Sequence, residues 1–306
     1  MWHAKGRNER RAFDKMADKR YLQRMSRFLR HIRACNTAVL PGDRLQFCLG
    51  GTPVGWVRPA FADLLAGFDE ISRVLDRVTL HNAAALPRLA RVLAERGLLR
   101  NRAEAFDVRA EPGRPVLATI DRGALPSFGI RAEGVHVNGL VHRADGLHVW
   151  VATRAANKAL DPGKLDHIVA GGTPAGYTAW QTLIKEAAEE AAISADIAAR
   201  ACLVFSVEYA MERPEGLRRD VLHCYDLELP EDFEPSAVDG EVESFALWPV
   251  ARVFEAVRDT DAFKFNVNLV LIDLFLREGM IEGAEAAALR AALGNARQAE
   301  APMAWK

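Results

Sequence analysis

Residues 171–193 read GGTPAGYTAWQTLIKEAAEEAAI, and the architecture of the chain follows from this stretch. Its first part holds Gly171, Gly172, Pro174 and Gly176 within six residues, the composition of a loop with demanding backbone angles. Its second part is helical. Thr178 with Gln181 three residues on has the form of a capping box, in which each side chain satisfies the other's backbone N–H. Leu183, Ile184, Ala187, Ala188 and Ala191 then recur at the spacing of one helical face. The short apolar run over 167–170 predicts a strand just before the glycines. The stretch is therefore strand, loop and helix.

On that helix Glu186, Glu189 and Glu190 stand at i, i+3 and i+4, so three carboxylates share a face. Like charges at this spacing cost about 0.2–0.5 kcal/mol per pair, and the C-terminal half of a helix disfavours negative charge further. A hard divalent cation reverses the sign of that cost, because such ions take oxygen ligands. A solvated acidic face is the plainer reading, and these glutamates alone do not separate the two.

Downstream of the helix, strands are predicted over 203–211, 221–229 and 244–248, and helices over 251–258, 267–278 and 284–294. Upstream, runs at 135–142 and 147–153 flank Ala144-Asp145-Gly146, a turn signal. The segment 121–131, with Gly123, Pro126 and Gly129, is the expected boundary between two domains, 1–125 and 126–306. The first is expected to be α+β. It has a hairpin about Gly50-Gly51, a helix over 60–66 with Pro59 at its start, a helix over 86–99, and strands near 105–109 and 116–120.

A chain of 306 residues with 50% hydrophobic and 26% charged side chains has ample material for two cores. The net charge of -1 argues against a partner bound by bulk electrostatics, so no nucleic acid is expected. Charge is uneven, however: residues 1–34 hold eleven Lys/Arg against three Asp/Glu. Phe13, Met16, Leu22, Met25, Phe28, Leu29 and Ile32 recur there at helical spacing, which predicts an amphipathic helix ending near Asn36 after a polar segment of about twelve residues. Its basic face is expected to be solvated, since no second basic patch is visible along the chain. The four cysteines Cys35, Cys48, Cys202 and Cys224 lack metal-site or disulfide spacing and are expected to be reduced thiols. Without a long apolar run or a signal-like start, a cytoplasmic protein with no membrane partner is expected.

The stretch 171–193 also resembles the signature of the Nudix hydrolases. Gly171 matches the opening glycine, Lys185-Glu186 the Arg-Glu pair, Glu189-Glu190 the Glu-Glu pair and Ile193 the closing apolar residue. Three positions depart from it: Tyr177 stands for the first Glu, Lys185 for Arg and Ala192 for the last Gly. The strings KLDHIVAGGTPAG, LIKEAAEEA, GLRRDVLHCYDLELP, VDGEVESF and FKFN resemble a narrower subfamily. It is the group related to the Nudix portion of fungal thiamine pyrophosphokinases and to plant and yeast hydrolases of thiamine diphosphate analogues. GWVRPAFADLL over 55–65 resembles the N-terminal domain of that group.

The resemblance implies an α/β fold: a Nudix α/β/α sandwich with a mixed sheet, preceded by a smaller α+β domain. It implies Mg2+ as cofactor, with Mn2+ as a substitute, held by Glu186, Glu189, Glu190 and the Gly171 carbonyl. Glu241 and Glu243 are candidate further ligands. Glu189, Glu190 and Glu241 are the candidate catalytic carboxylates, Glu241 as ligand or as base for water. Arg218, Arg219, Lys264 and Asn266 are candidate substrate contacts, and Trp56, Tyr209 and Phe265 candidate walls of a slot for an organic ring. The implied reaction cleaves the diphosphate of thiamine diphosphate or a damaged analogue to the monophosphate and phosphate. ADP-ribose or a dinucleotide is the alternative substrate, and a non-catalytic ligand-binding module the alternative class. Many relatives pair, so the partners implied are a small-molecule diphosphate and, as one arrangement, a second copy of the chain.

Overall fold

The computed structural model describes residues 27–238 and 240–294. The predicted polar segment at the start and the helical repeat from Phe13 to Met25 lie outside them. A helix over 27–35, α1, is the first described element. The first domain then runs β1 (Leu45–Leu49), β2 (Thr52–Val57), α2 (Pro59–Leu65), β3 (Ile71–Val74), β4 (Arg77–Leu80), α3 (Leu86–Glu95), β5 (Ala105–Val108), β6 (Ala118–Asp121) and α4 (Leu125–Phe128). Its four-stranded sheet has the order β2-β1-β4-β3, and β5 and β6 form a separate antiparallel pair. The β1–β2 hairpin turns at Gly50 and Gly51, both at positive φ, as the glycine pair predicts. The α3 helix stops at Glu95, short of the expected Leu99, because Gly97 takes a left-handed φ of 73° that continues no helix.

The second domain carries β7 (Arg131–Arg143), β8 (Gly146–Arg154), β9 (Leu165–Asp166), β10 (Val169–Gly172), α5 (Ala179–Ala191), α6 (Ala195–Ala198), β11 (Cys202–Arg213), β12 (Gly216–Glu228), β13 (Val242–Pro249), α7 (Val250–Asp259), α8 (Val267–Arg277) and α9 (Gly283–Leu293). Its seven-stranded sheet has the main order β11-β12-β7-β8-β13, with β10 on β7 and β9 on β8. The β12–β7 pair is parallel and the other pairs are antiparallel, so the sheet is mixed. One face packs on α5 and α6 through Leu183, Ala187, Ala191 and Ala198. The other packs on α7, α8 and α9 through Val253, Leu271, Phe275 and Leu289. A sheet apolar on both faces needs cover on both, which makes the domain an α/β/α sandwich.

The helix α1 precedes the first domain in sequence yet packs on the second. Phe28 meets Phe254 and Phe275 at ring-centroid distances of 5.1 and 6.2 Å, and His31 Nε2 lies 2.8 Å from the Val257 carbonyl oxygen. Its basic face, expected to be solvated, is partly paired: Arg27 and Arg30 each lie 2.5 Å from a carboxylate, Asp259 and Asp261. All four cysteines are free thiols, three of them buried. No helix among the described residues is long and apolar enough to cross a membrane.

Candidate active site

The α5 helix starts as its sequence predicts. The Gln181 N–H donates to Thr178 Oγ1 at 3.1 Å, and the Thr178 N–H donates to Gln181 Oε1 at 2.9 Å. Its buried face is rotated from the expected stripe. Ala188 is exposed, while Thr182 and Glu190 are buried beside Leu183, Ala187 and Ala191. A glutamate thus occupies the inward face, where an unpaired charge is expensive.

Two glycines let the helix and the loop close on each other. A Cβ at Gly171 would fall 2.5 Å from both Cγ and Cδ of Glu186. A Cβ at Gly172 would fall 2.7 Å from Cζ of Phe106, in β5 of the first domain. The loop beyond them is docked on the same strand: the Ala175 N–H donates to the Ala105 carbonyl oxygen at 2.7 Å, and the Gly176 N–H to Asp107 Oδ2 at 3.3 Å. Tyr177 is 43% exposed. The loop is therefore braced by the first domain, and an acidic side chain at position 177 has no part in holding it.

Around this loop the carboxylates gather. Glu190 is 7% exposed, and its Oε2 accepts the Ala170 N–H at 2.8 Å. Burial pushes its carboxyl well above the ordinary range; the Ala170 N–H opposes this, and Glu186, Asp166 and Glu241 add to it. Burial likewise raises the Glu186 carboxyl against the pull of Lys185. Lys185 spans the pair, with Nζ 3.2 Å from Glu186 Oε1 and 2.5 Å from Glu189 Oε2. Glu241 is paired with Lys158 and lines the same cavity. Glu243 is exposed and is not among the lining residues.

Two crowded and largely buried acids that resist ionisation, Glu186 and Glu190, are the surroundings that a bound cation would relieve. The donors are all oxygens: Glu186, Glu189, Glu190, Glu241 and the Gly171 carbonyl, which a Cβ at Gly134 would approach to 2.9 Å. Such a set fits a hard divalent ion.

The cavity holds about 720 Å³ and lies between the two domains. Nine basic and six acidic side chains line it, which corrects the expectation that no second basic patch exists. Arg218, Arg219 and Lys264 are on its wall. Arg218 Nε donates to Asp220 Oδ2 at 2.6 Å, and the guanidinium lies 5.3 Å from the Phe265 ring centroid. Arg219 reaches Glu208 at 3.2 Å, and Lys264 reaches Asp166 at 3.3 Å. Asn266 is buried behind that wall, its Nδ2 3.4 Å from His136 Nε2 and 3.4 Å from the Tyr209 hydroxyl. Trp56, Tyr209 and Phe265, expected to wall a ring slot, are not among the lining residues.

Several groups escape the sequence reading. Arg100, Arg102 and Arg122 line the cavity from the first domain, and Arg154 and Lys158 from the second. Beneath it His136, Asp166 and His167 place potential ligand atoms within 4.8 Å of one another. The two Nδ1 atoms are 2.9 Å apart, and Asp166 is already paired with Arg154 at 2.6 Å. The string KLDH carries Asp166 and His167, but their partner His136 lies on another strand.

Comparison with known proteins agrees with the signature. Residues 27–132 match the model of a domain of unknown function (DUF4743), and residues 133–267 match the NUDIX domain model. Nudix hydrolase 20, chloroplastic, of Arabidopsis thaliana is 38% identical over 83% of this chain and 73% of its own length. Nudix hydrolase 24, chloroplastic, of the same plant is also 38% identical over 83% of this chain and 73% of its own length. Among solved structures, the NUDIX domain of Shewanella oneidensis NrtR complexed with ADP ribose is 16% identical, with a TM-score of 0.37 over 51% of this chain and 92% of that one. A C. elegans Ap4A hydrolase binary complex is 11% identical, with a TM-score of 0.36 over 49% of this chain and 99% of that one.

Proposed function

The chain belongs to the Nudix hydrolases, and from that membership we propose that it is a divalent-metal-dependent pyrophosphohydrolase whose substrate is thiamine diphosphate or a damaged analogue of it. The observation that carries the hydrolytic part is the carboxylate group of α5, with Glu186 and Glu189 on the wall of a predominantly basic cavity and Glu190 buried next to them on the helix. The narrower substrate reading rests on the strings over 164–266 and on the basic lining, which suits a diphosphate.

In this reading Glu186, Glu189 and Glu190 would hold Mg2+, with the Gly171 carbonyl as a further ligand and Glu241 left as the base for water. Bound there, the ion would screen charge at the diphosphate and polarise its oxygens. Arg218 and Lys264, on the wall of the same cavity, bind phosphoryl oxygens, for which a guanidinium fork and an ammonium are suited. Water attacks phosphorus, its proton passes to the Glu241 carboxylate, and the bridging P–O bond breaks. The products are the monophosphate ester and inorganic phosphate.

Phosphate release from a panel of thiamine diphosphate, its oxidised analogues, ADP-ribose and diadenosine polyphosphates, each with Mg2+ and with a phosphatase-coupled arm for diesters, tests this. Preferential turnover of the thiamine diphosphate compounds is expected. Turnover of ADP-ribose or a dinucleotide alone would replace the substrate, and binding of any of them without turnover would replace the class.

A further inference from the structure

Most cations lining the cavity are already engaged by carboxylates of the chain. Arg154 and Lys264 share Asp166, Arg218 takes Asp220, and Arg122 takes Glu104 at 2.8 Å. Arg100 and Arg102 differ. Among the described residues their guanidinium groups have no hydrogen bond or ion pair, although both line the same cavity as Glu186 and Glu189 of α5. They come from the first domain.

The loop that carries them is fixed. The Asp121 carboxylate accepts three backbone N–H groups, those of Arg102 at 3.0 Å, Glu104 at 3.3 Å and Gly123 at 2.8 Å. Asn101, which stands between the two arginines, accepts the Ala103 N–H on its Oδ1 at 2.8 Å, and Ala103, just past Arg102, takes a φ of 55°. Gly123 packs directly on the Arg100 carbonyl, with no room for a Cβ. Backbone held this firmly beneath two unengaged side chains is what a preorganised subsite requires.

We infer that Arg100 and Arg102 form a subsite for the terminal phosphoryl group of the substrate, so the enzyme's substrates are diphosphate monoesters, not diphosphates that bridge two organic groups. A terminal phosphoryl group carries a charge of about -1.5 to -2 and three free oxygens. An internal one carries a single charge and two free oxygens. Two guanidinium forks without a counter-ion match the former. The subsite also gives the first domain a part in recognition. It lines the same cavity as the carboxylates, on the domain whose β5 strand braces the glycine loop. The inference rests on the hydrolase reading above for its reaction, though not for its binding.

Two measurements on the full chain separate these. Inorganic pyrophosphate, with divalent cations omitted, is titrated into the wild type and into an Arg100→Ala/Arg102→Ala double variant of unchanged melting temperature. Loss of two charge-assisted contacts predicts binding weakened about 10-fold or more. No binding by the wild type, or equal binding by both, overturns the inference. In parallel, kcat/KM is compared for thiamine diphosphate and ADP-ribose with Mg2+. The double variant is expected to lose about 100-fold on the monoester, chiefly through KM, and at least ten times less on the bridged diphosphate. An equal loss on both overturns the monoester specificity. An Arg100→Lys/Arg102→Lys variant should recover part of the affinity, since it keeps charge without the fork. If neither substrate is turned over, the hydrolase reading fails while the pyrophosphate titration still decides the subsite.

Discussion

The side chain of Glu186 lies directly over Gly171, so closely that a Cβ on the glycine would fall 2.5 Å from its Cγ and Cδ. Close packing of a helix carboxylate on a loop glycine explains why the loop and the helix read as one motif. Replacing Gly171 with Ala should displace Glu186 from the carboxylate group. Overpacking of this kind costs about 1–3 kcal/mol of stability. The expected outcome is a lowered melting temperature together with weakened divalent-ion binding by calorimetry. A variant with wild-type ion affinity would show that the Glu186 position is not set by this contact.

At the other end of α5 the helix closes with Ala192 at a φ of 54°, a left-handed conformation that strains any residue with a Cβ. The family signature has glycine at the matching position. Ala192→Gly should therefore stabilise the protein by up to about 1 kcal/mol, even after the larger entropy of glycine in the unfolded chain. Chemical denaturation would measure it, and a loss of stability would contradict the strain.

Behind the cavity, burial lowers the His167 imidazole to about 4, against the opposing pull of Asp166. A histidine whose folded pKa lies below its unfolded value of 6.5 binds fewer protons folded than unfolded across that window. Stability is then complete above about pH 6.5 and declines as pH falls toward about 4, by roughly 3 kcal/mol if this group acts alone. His167→Gln should flatten that part of the stability profile. An unchanged slope in urea denaturation series would assign the decline elsewhere.

What the sequence revealed and what it concealed have a common physical basis. The capping box at Thr178 and Gln181 and the Gly50-Gly51 hairpin are local, and each depends on residues within a few positions. The strands β3 and β4 have no clear sequence pattern, because Arg73, Asp76 and Arg77 interrupt their apolar residues, and because β4 pairs in parallel with β1 from a distance. The docking of α1 on α7 and α8 depends on residues more than two hundred positions away. The basic cavity was hidden for a similar reason: its cations come singly or in pairs from separated segments of a chain with almost no net charge. The three glutamates of α5 were visible as a crowded face, but only the structure shows that Glu190 turns inward while Glu189 stays half exposed.

The central claim is that the α5 carboxylates hold the catalytic cation, and Glu190 is its most exacting test. Because burial opposes its charge, Glu190→Gln should fold at least as stably as the wild type when divalent ions are absent. The decisive measurement is Mg2+-dependent phosphate release from thiamine diphosphate by both proteins at matched concentration. A drop of at least about 100-fold, with the melting temperature unchanged or raised, is predicted. Full turnover by the Glu190→Gln protein would contradict the account.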